Sequence, residues 1–463
     1  MPAAWHETVA DALAQGWRFA GLYATRDGGS PCIRAALTRE GEPLVLSCLA
    51  DERRTASIVD IVPAAAWDER EAHDLHGWAF TGHEPLRPLV DHHAPTSRWT
   101  APLEGRDAHQ VAVGPIHAGI IESGHFRFSV VGERVLNLDL RLFYKHRALE
   151  AAAEGVGHVQ AIAHAQRACA ADAVTNAVAY AHACESALGL WPSEQLRCSR
   201  TLLLELERLW NHLNDIAAIC AGVGFAPGNM LFAAFKERAQ QLNAALAGHR
   251  FLFDSVRIGG GDLAIAPDDA AGAREELADL RHAIGRGWRE LAFAGSLQER
   301  LEGVGVTARE QVERMGGVGP VARAAGVPID ARTTSPRLTY EGFAPAMLEQ
   351  PGGDVAARME IRGAELSATF DLLDGLLDGP LQAAGCTRVE DASPAVGTGV
   401  VESPRGQTLC AVELDGGRIA RMHLRTGSYA NWPLLALACR DELLPDFPLI
   451  NKSFELCYAC VDR

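Results

Sequence analysis

The sequence has no long hydrophobic run, no basic stretch and no leader-like N-terminus. Across its 463 residues no run of roughly 18 or more apolar residues occurs, so we expect no transmembrane helix. The opening MPAAWHETVADALAQ lacks a basic region followed by an apolar core, so we expect no secretory signal and a cytoplasmic location. The net charge of −16 and the lack of a Lys/Arg run argue against nucleic acid as a partner.

Several common catalytic signatures are also missing. There is no Gly-rich phosphate loop, no HExxH zinc motif and no GxSxG nucleophile motif. No four-cysteine run occurs, so we expect this chain to bind no iron-sulfur cluster of its own. These absences argue against phosphate-loop NTPases, zincin proteases and serine hydrolases.

What the sequence does have is a globular composition and many cysteines. Hydrophobic residues make up 48% and charged residues 22%, which is enough apolar material for a sizeable core. Without a secretory signal, the 11 cysteines indicate a reducing compartment. In that setting a close cysteine pair more often binds metal or acts in catalysis than forms a disulfide.

The hydrophobic pattern predicts an α+β fold with two domains. Residues 1–100 are expected to form a small α+β domain, with a helix from Thr8 to Gln15, three strands and an amphipathic helix in AAAWDEREAHDLHGWAF. The stretch DHHAPTSRWTAPLEG reads as a linker because it has no periodicity. Residues 101–463 are expected to form an α-helical bundle with peripheral antiparallel strands.

Local patterns fill in this second domain. HFRFSVVGERVLNLDLRL predicts a β-hairpin, and Ala- and Leu-rich segments between residues 145 and 316 predict long helices, with Ser193 as an N-cap. A helix from Asp354 to Leu377 is followed by strands in GTGVVESP, TLCAVELD and RIARMHLR. A last helix from Trp432 to Leu444 precedes a tail that we expect to be extended.

The sharpest chemical feature is the pair Cys457 and Cys460. Two thiolates at this spacing can bind one metal ion from a single turn, although two inert buried cysteines have the same spacing. Cys169 and Asp172 offer a thiolate and a carboxylate at i and i+3, on one face of a predicted helix. A cysteine in an Ala-rich helix is more often a small core residue, so this pair is a weaker signal.

Single residues add weaker candidates. Arg405, between Pro and Gly in a turn joining two strands, could orient an anionic ligand or simply pair with a carboxylate. His117 and His125 could carry protons or bind metal, but hydrogen-bonded structural histidines are more frequent. Glu150, in HRALEAAAE, could be only a solvated helix residue.

Taken together, ordered segments of the chain resemble one family. GPIHAGIIESGHFRF, RLFYKHRALE, LLLELERLWNHL, GGVGPVARAAGVPIDAR, VESPRGQ, YANWPLLALACR and DFPLINKSFELCYACVDR occur in the expected order. They resemble the large subunit of group 4 energy-converting, formate-hydrogenlyase-type nickel-iron hydrogenases, which is homologous to the quinone-site, forty-nine-kilodalton subunit of complex I. WDEREAHDLHGWAFTGHEPLRPL resembles the thirty-kilodalton subunit of complex I, fused here at the N-terminus.

The resemblance implies roles for particular residues. Cys457 and Cys460 match the C-terminal cysteine pair that binds nickel and iron, and Cys169 matches the first cysteine of the other pair. Asp172 stands where that pair's second, bridging cysteine is expected. Arg405 matches the arginine over the iron's diatomic ligands, and Glu150 matches an acidic residue near the metals.

Two departures from the family pattern lead us to expect an altered site. Carboxylate is a harder ligand than thiolate, so Asp172 suits a low-spin iron poorly as a bridge. The sequence ends at Arg463, so we also expect no C-terminal extension to be trimmed after metal insertion. His117 matches a complex I histidine at the quinone headgroup, but the tyrosine that partners it there has no counterpart near Arg167 and Cys169.

Three hypotheses follow from the resemblance. The first is a subunit of a complex-I-like oxidoreductase assembly with a degenerate nickel-iron site, acting in electron transfer or quinone-type coupling. The second is an active hydrogenase-like enzyme with an altered nickel-iron centre, and the third is a structural zinc or scaffold subunit. The implied partners are an iron-sulfur small subunit and membrane antiporter-like subunits, which would hold the chain at the cytoplasmic side of the inner membrane.

Overall fold

A computed structural model describes residues 2–103, 105, 107–117, 121–261, 263–378, 381–389 and 396–463. The chain is mixed α and β, as the sequence predicts, with a helical body and small antiparallel sheets. The predicted domain boundary near residue 100 stays a prediction.

The N-terminal unit is a three-stranded antiparallel sheet covered by helices. Its sheet has the order β1-β2-β3, and alternating residues such as Ile33 and Leu37 are buried against α1 and α2. The three predicted strands and the amphipathic helix are confirmed, while the first helix begins earlier than Thr8. The elements are α1 (Pro2–Ala14), β1 (Arg18–Asp27), β2 (Ser30–Arg39), β3 (Glu42–Leu49), β4 (Arg54–Ala56), α2 (Ala66–His76) and β5 (Ala79–Thr81).

A second antiparallel sheet follows the linker. The predicted hairpin is confirmed as β7 and β8, and β6 adds a third strand that the sequence analysis missed. One face of this sheet packs on the C-terminal helices through Phe126 and Phe128, both buried. The elements are α3 (Thr96–Trp99), β6 (Ala108–Val113), β7 (His125–Val131) and β8 (Arg134–Arg141).

The body is built around α7, whose residues are buried along most of its length. Ser193 caps this helix by accepting a hydrogen bond from the Leu196 N–H at 3.3 Å, as predicted. Asp354 caps α13 in the same way. The elements are α4 (Leu149–Ala153), α5 (His158–Gln166), α6 (Ala173–Ala187), β9 (Leu190–Pro192), α7 (Glu194–Gly222), α8 (Ala226–Ala247), β10 (Gly260–Gly261), α9 (Pro267–Ala292), α10 (Gly295–Leu301), α11 (Arg309–Arg314), α12 (Gly319–Ala324), α13 (Val355–Leu376) and β11 (Ala384–Arg388).

The C-terminal part returns to a sheet and ends in short helices. The three predicted strands form the antiparallel order β12-β13-β14, which packs on α6. The last predicted helix spans Gly427–Ala438, earlier than the expected Trp432 to Leu444, because Thr426 caps it. The expectation of an extended tail is wrong, because the tail contains a helix at Phe447–Phe454 and a helical turn at Ala459–Asp462. The elements are β12 (Val396–Ser403), β13 (Gly406–Asp415), β14 (Arg418–Arg425), α14 (Gly427–Ala438), α15 (Phe447–Phe454) and α16 (Ala459–Asp462).

Candidate metal centre

Three free thiols converge where the C-terminal turn meets the loop between α5 and α6. Cys460 Sγ lies 2.8 Å from Cys169 Sγ, and the sulfurs of Cys169, Cys457 and Cys460 all lie within 4.8 Å of one another. Cys460 and Cys169 are buried, and Cys457 is half-buried. The Cys457 Sγ accepts a hydrogen bond from the Cys460 N–H at 3.4 Å, which folds the pair into one turn.

Asp172 completes this cluster, but not from the predicted helix. Its Oδ2 lies 3.2 Å from Cys460 Sγ and 3.7 Å from Cys169 Sγ, and its side chain is buried. The expectation that Cys169 and Asp172 share a helix face is wrong, because α5 ends at Gln166 and α6 begins only at Ala173. In the intervening loop the Asp172 N–H donates to Cys169 Sγ at 3.2 Å, which brings the two side chains together without a helix.

Arg405 supplies the positive charge beside the cluster. Its Nη1 lies 3.7 Å from Asp172 Oδ1 and donates to Asn211 Oδ1 at 2.6 Å, while its Nε donates to the Glu455 carbonyl at 2.7 Å. The turn between β12 and β13 that carries Arg405 is tightly enclosed. A Cβ on Gly319, whose φ is +68°, would lie 2.5 Å from the Arg405 carbonyl oxygen, so only glycine fits there.

The electrostatics of the cluster favour one thiolate. Hydrogen bonds from the Cys169 and Cys460 thiols, together with the charge of Arg405, hold the pKa of Cys457 well below its usual range, although burial opposes this. Burial raises the pKa of Asp172 and of Cys169. Burial acts to lower the pKa of Arg405, but Asp215 and Asp172 more than offset it.

The donor set fits a metal ion. Three thiol sulfurs within 4.8 Å of one another are close enough to bind one metal ion together. Asp172 Oδ1 is buried and has no hydrogen-bond partner among the described residues. A buried acceptor without a partner costs free energy that a bound cation would recover.

A cavity of about 640 Å³ opens beside the thiols. Its lining includes Cys457, Arg405, His117 and Tyr458 together with apolar side chains. The two rings lie 6.0 Å apart between centroids, and His117 Nε2 is buried without a partner in the described residues. Burial lowers the pKa of His117. The sequence analysis found no tyrosine near Arg167 to partner His117; in the structure the ring of Tyr458, from the C-terminal segment, lies beside His117.

Comparison with known proteins identifies the family. The family model for the respiratory-chain NADH dehydrogenase 49 kDa subunit matches residues 223–394 and 390–463. That is about half of the chain. The model for the 30 kDa subunit matches residues 30–105. The chain belongs to the family of the larger of these two subunits, with a region of the smaller subunit's type fused at its N-terminus.

Relatives in this family include hydrogenase subunits. Hydrogenase-4 component G of Escherichia coli is 31% identical over 473 residues, covering 94% of this chain and 81% of the relative. Formate hydrogenlyase subunit 5 of Escherichia coli is 29% identical over 445 residues, which cover 89% of this chain and 78% of that relative. The chain is thus an oxidoreductase-family protein related both to hydrogenase large subunits and to NADH-quinone oxidoreductase subunits.

A solved structure shows the same fold. A chain of the archaeal membrane-bound sulfane sulfur reductase, a respiratory membrane complex, superposes with a TM-score of 0.70 and 26% identity. The match covers 78% of this chain and all of that one. In the present chain, every helix among the described residues is too short or too polar to span a bilayer.

Two of the other predicted residues lie apart from the three cysteines. Glu150 accepts hydrogen bonds from Arg463 Nη1 at 2.7 Å and from the Leu424 N–H at 2.9 Å, and it groups with Glu71 and His423 rather than with the thiols. His125 lies 3.5 Å from the Tyr144 hydroxyl through its Nδ1. Their roles as metal ligand or proton carrier stay predictions.

The sequence analysis missed a buried polar face on α7. Asn211 and Asp215 hold Arg405, and Glu207 accepts hydrogen bonds from the Val174 and Thr175 N–H groups at the start of α6. A signal was present in LELERLWNHLND, since Arg208, Asn211 and Asp215 recur at helical spacing inside an apolar helix. Polar residues at core positions of a helix predict a buried network.

Proposed function

We propose that this chain is the hydrogenase-large-subunit-like component of a complex-I-like, membrane-associated oxidoreductase, with an altered metal centre formed by Cys169, Asp172, Cys457 and Cys460. The convergence of three thiols and one carboxylate on a common point supports the proposal. Its relatives are subunits of hydrogenase and respiratory membrane complexes, which supports a role in a multisubunit assembly.

The chemistry of the donors supports an altered centre. Thiolates are soft ligands, whereas the Asp172 carboxylate is hard, so the set differs from four thiolates in the metal it prefers. A bound metal would supply a redox or Lewis-acid centre. The residues of the chain orient the donors and, through Arg405, balance the negative charge of thiolates in a largely buried site.

The proposed partners are an iron-sulfur small subunit and membrane antiporter-like subunits, with the chain on the cytoplasmic side of the membrane. Because no four-cysteine run predicts a cluster in this chain, we propose that electrons reach the site from a cluster in another subunit. Solvent also reaches Cys169 and Cys457 through an open pocket of about 560 Å³, lined by Lys145, Arg147 and Arg167.

A second candidate function is quinone-type coupling without metal chemistry. The 640 Å³ cavity favours it, since its volume lies in the usual range for small-molecule sites, and its lining combines apolar side chains with a few polar groups. His117 Nε2 has no partner in the described residues and could bond a ligand carbonyl, with the Tyr458 ring beside it. Thus a quinone headgroup is the class of ligand that we propose for this cavity.

The deciding experiment is elemental analysis of the purified native complex for nickel, iron and zinc, with infrared detection of iron-bound cyanide and carbon monoxide. Stoichiometric nickel or iron without those bands supports the altered centre. Nickel with the bands would overturn it in favour of a working hydrogenase-like site. Zinc alone, with no redox response, would overturn it in favour of a structural role. No metal would overturn the metal centre and leave quinone-type coupling as the function to test.

A further inference from the structure

The C-terminal residue Arg463 ties the thiol-bearing turn to two other parts of the chain. Its Nη1 donates to Glu150 Oε1 at 2.7 Å, and its Nη2 pairs with Glu71 Oε2. Glu71 belongs to α2 of the N-terminal unit, and Glu150 belongs to α4. The guanidinium also lies 5.1 Å from the centre of the Tyr429 ring, and the whole side chain is buried.

The site around this guanidinium has the composition of a cation site. The ligand atoms of Glu71, Glu150 and His423 lie within 4.8 Å of one another, and all three residues are buried. Two buried carboxylates so close together require positive charge. Arg463 supplies it, with Arg421, whose Nη2 lies 3.1 Å from Glu150 Oε2. The positive charge beside these carboxylates therefore comes from arginine side chains of the chain itself.

Arg463 is coupled to the cysteines through one helical turn. The Arg463 N–H donates to the Ala459 carbonyl at 3.1 Å, and Cys460 lies between these two residues. On the other side of the turn, the Asp462 carboxylate accepts from the N–H groups of Phe143 at 2.7 Å and Lys145 at 2.8 Å. The turn is thus held from two directions, and Arg463 is the contact that reaches the N-terminal unit.

We propose that Arg463 is a positioning residue: held by Glu71 and Glu150, it fixes the Cys457–Cys460 turn against Cys169 and makes the thiol site depend on the fused N-terminal unit. The claim that this positioning supports metal binding rests on the proposed function. The claim that Arg463 holds the Cys457–Cys460 turn in place does not, so an experiment can contradict either claim without the other.

The test compares Glu71→Gln with a matched control in the native complex. Glu154→Gln removes another carboxylate near the same arginines: Glu154 lies 3.5 Å from Arg421 but is half-exposed and does not contact Arg463. We expect Glu71→Gln to speed amide hydrogen exchange in residues 457–463 by about tenfold and to lower metal content, with α9 unchanged. The control should change neither.

A second variant guards against a folding defect. Arg463→Lys keeps the charge but loses the two-pronged contact, so exchange in residues 457–463 should be intermediate between the native complex and Glu71→Gln. Unchanged exchange in this segment in both variants would overturn the proposal. Faster exchange in a complex that contains no metal even without mutation would support the positioning role and count only against the metal centre.

Discussion

Asp172 and Cys460 meet at 3.2 Å between carboxylate oxygen and thiol sulfur, although 288 positions separate them in the chain. The contact lies in a buried cluster that also contains two more thiols. A hard oxygen donor therefore stands among soft sulfur donors. Under the proposed function, the identity of this one residue decides which metals the site prefers.

Replacing Asp172 by cysteine should change that preference. Asp172→Cys creates a site of four sulfur donors, and we expect its affinity for nickel or zinc to rise at least about tenfold because thiolate is the softer ligand. Competition with a chromophoric chelator measures the affinity. Asp172→Asn is the control, since it keeps an oxygen but removes the charge, and it should weaken binding. Equal affinities in all three proteins would contradict the ligand role of Asp172.

Removing Cys460 should abolish metal binding while leaving the fold intact. Cys460→Ala deletes one of three converging sulfurs, so we expect metal content to fall below a tenth of the native value. The loss in stability should be about 1 kcal/mol, as for a small buried side chain. Cys410→Ala, at an equally buried thiol in the main core, is the control and should retain the metal. Full metal content in Cys460→Ala would rule out a metal role for the C-terminal pair.

Acid should loosen the contact between the N-terminal unit and the body at His76. Burial, and next the charge of Arg421, lower the pKa of His76 to about 4 from 6.5, although Glu150 acts in the opposite direction. Between pH 6.5 and 4 the unfolded chain therefore binds more protons at His76 than the folded chain does. The contribution of His76 to the free energy of unfolding is present above pH 6.5 and is lost as the pH falls towards 4. With allowance for partial solvent exposure, it amounts to about 2 kcal/mol.

Thermal unfolding at a series of pH values checks this effect. His76→Gln keeps an acceptor for Arg421, whose Nη2 lies 3.4 Å from His76 Nε2, but it does not titrate. We expect a shallower decline in melting temperature between pH 6.5 and 4 for this variant. Exposed His249→Gln is the control. The same decline in His76→Gln as in the native protein would show that other groups are responsible.

Filling the cavity should block a quinone-type ligand. Ile121 lines the cavity and is partly exposed, so Ile121→Trp adds volume there without disturbing the buried core. We expect the affinity for a short-chain quinone analogue to fall at least about tenfold, because the indole of the new tryptophan occupies cavity volume that the quinone ring needs. Titration calorimetry measures it, and Val131→Trp, at an exposed residue of β7, is the control. An unchanged affinity in Ile121→Trp would place the ligand elsewhere.

Features that depend on neighbouring residues could be predicted from the sequence. The cap at Ser193, the helix that starts near Asp354, the hairpin and the three C-terminal strands follow from side chains within a few positions of one another. The break between α5 and α6 could not, because its Ala-rich sequence has high helix propensity. There the contacts of Asp172 with distant groups outweigh local preference.

The sequence by itself determined the family, the candidate donors Cys169, Asp172, Cys457 and Cys460, and most of the secondary structure. These depend on residue types, order and short-range spacing. Only the tertiary structure decided that Glu150 joins Arg463, Glu71 and His423 and not the thiols. Such choices depend on how the N-terminal unit, α6, α7 and the C-terminal turn pack together. Contacts between residues hundreds of positions apart leave no periodic signal in a single sequence.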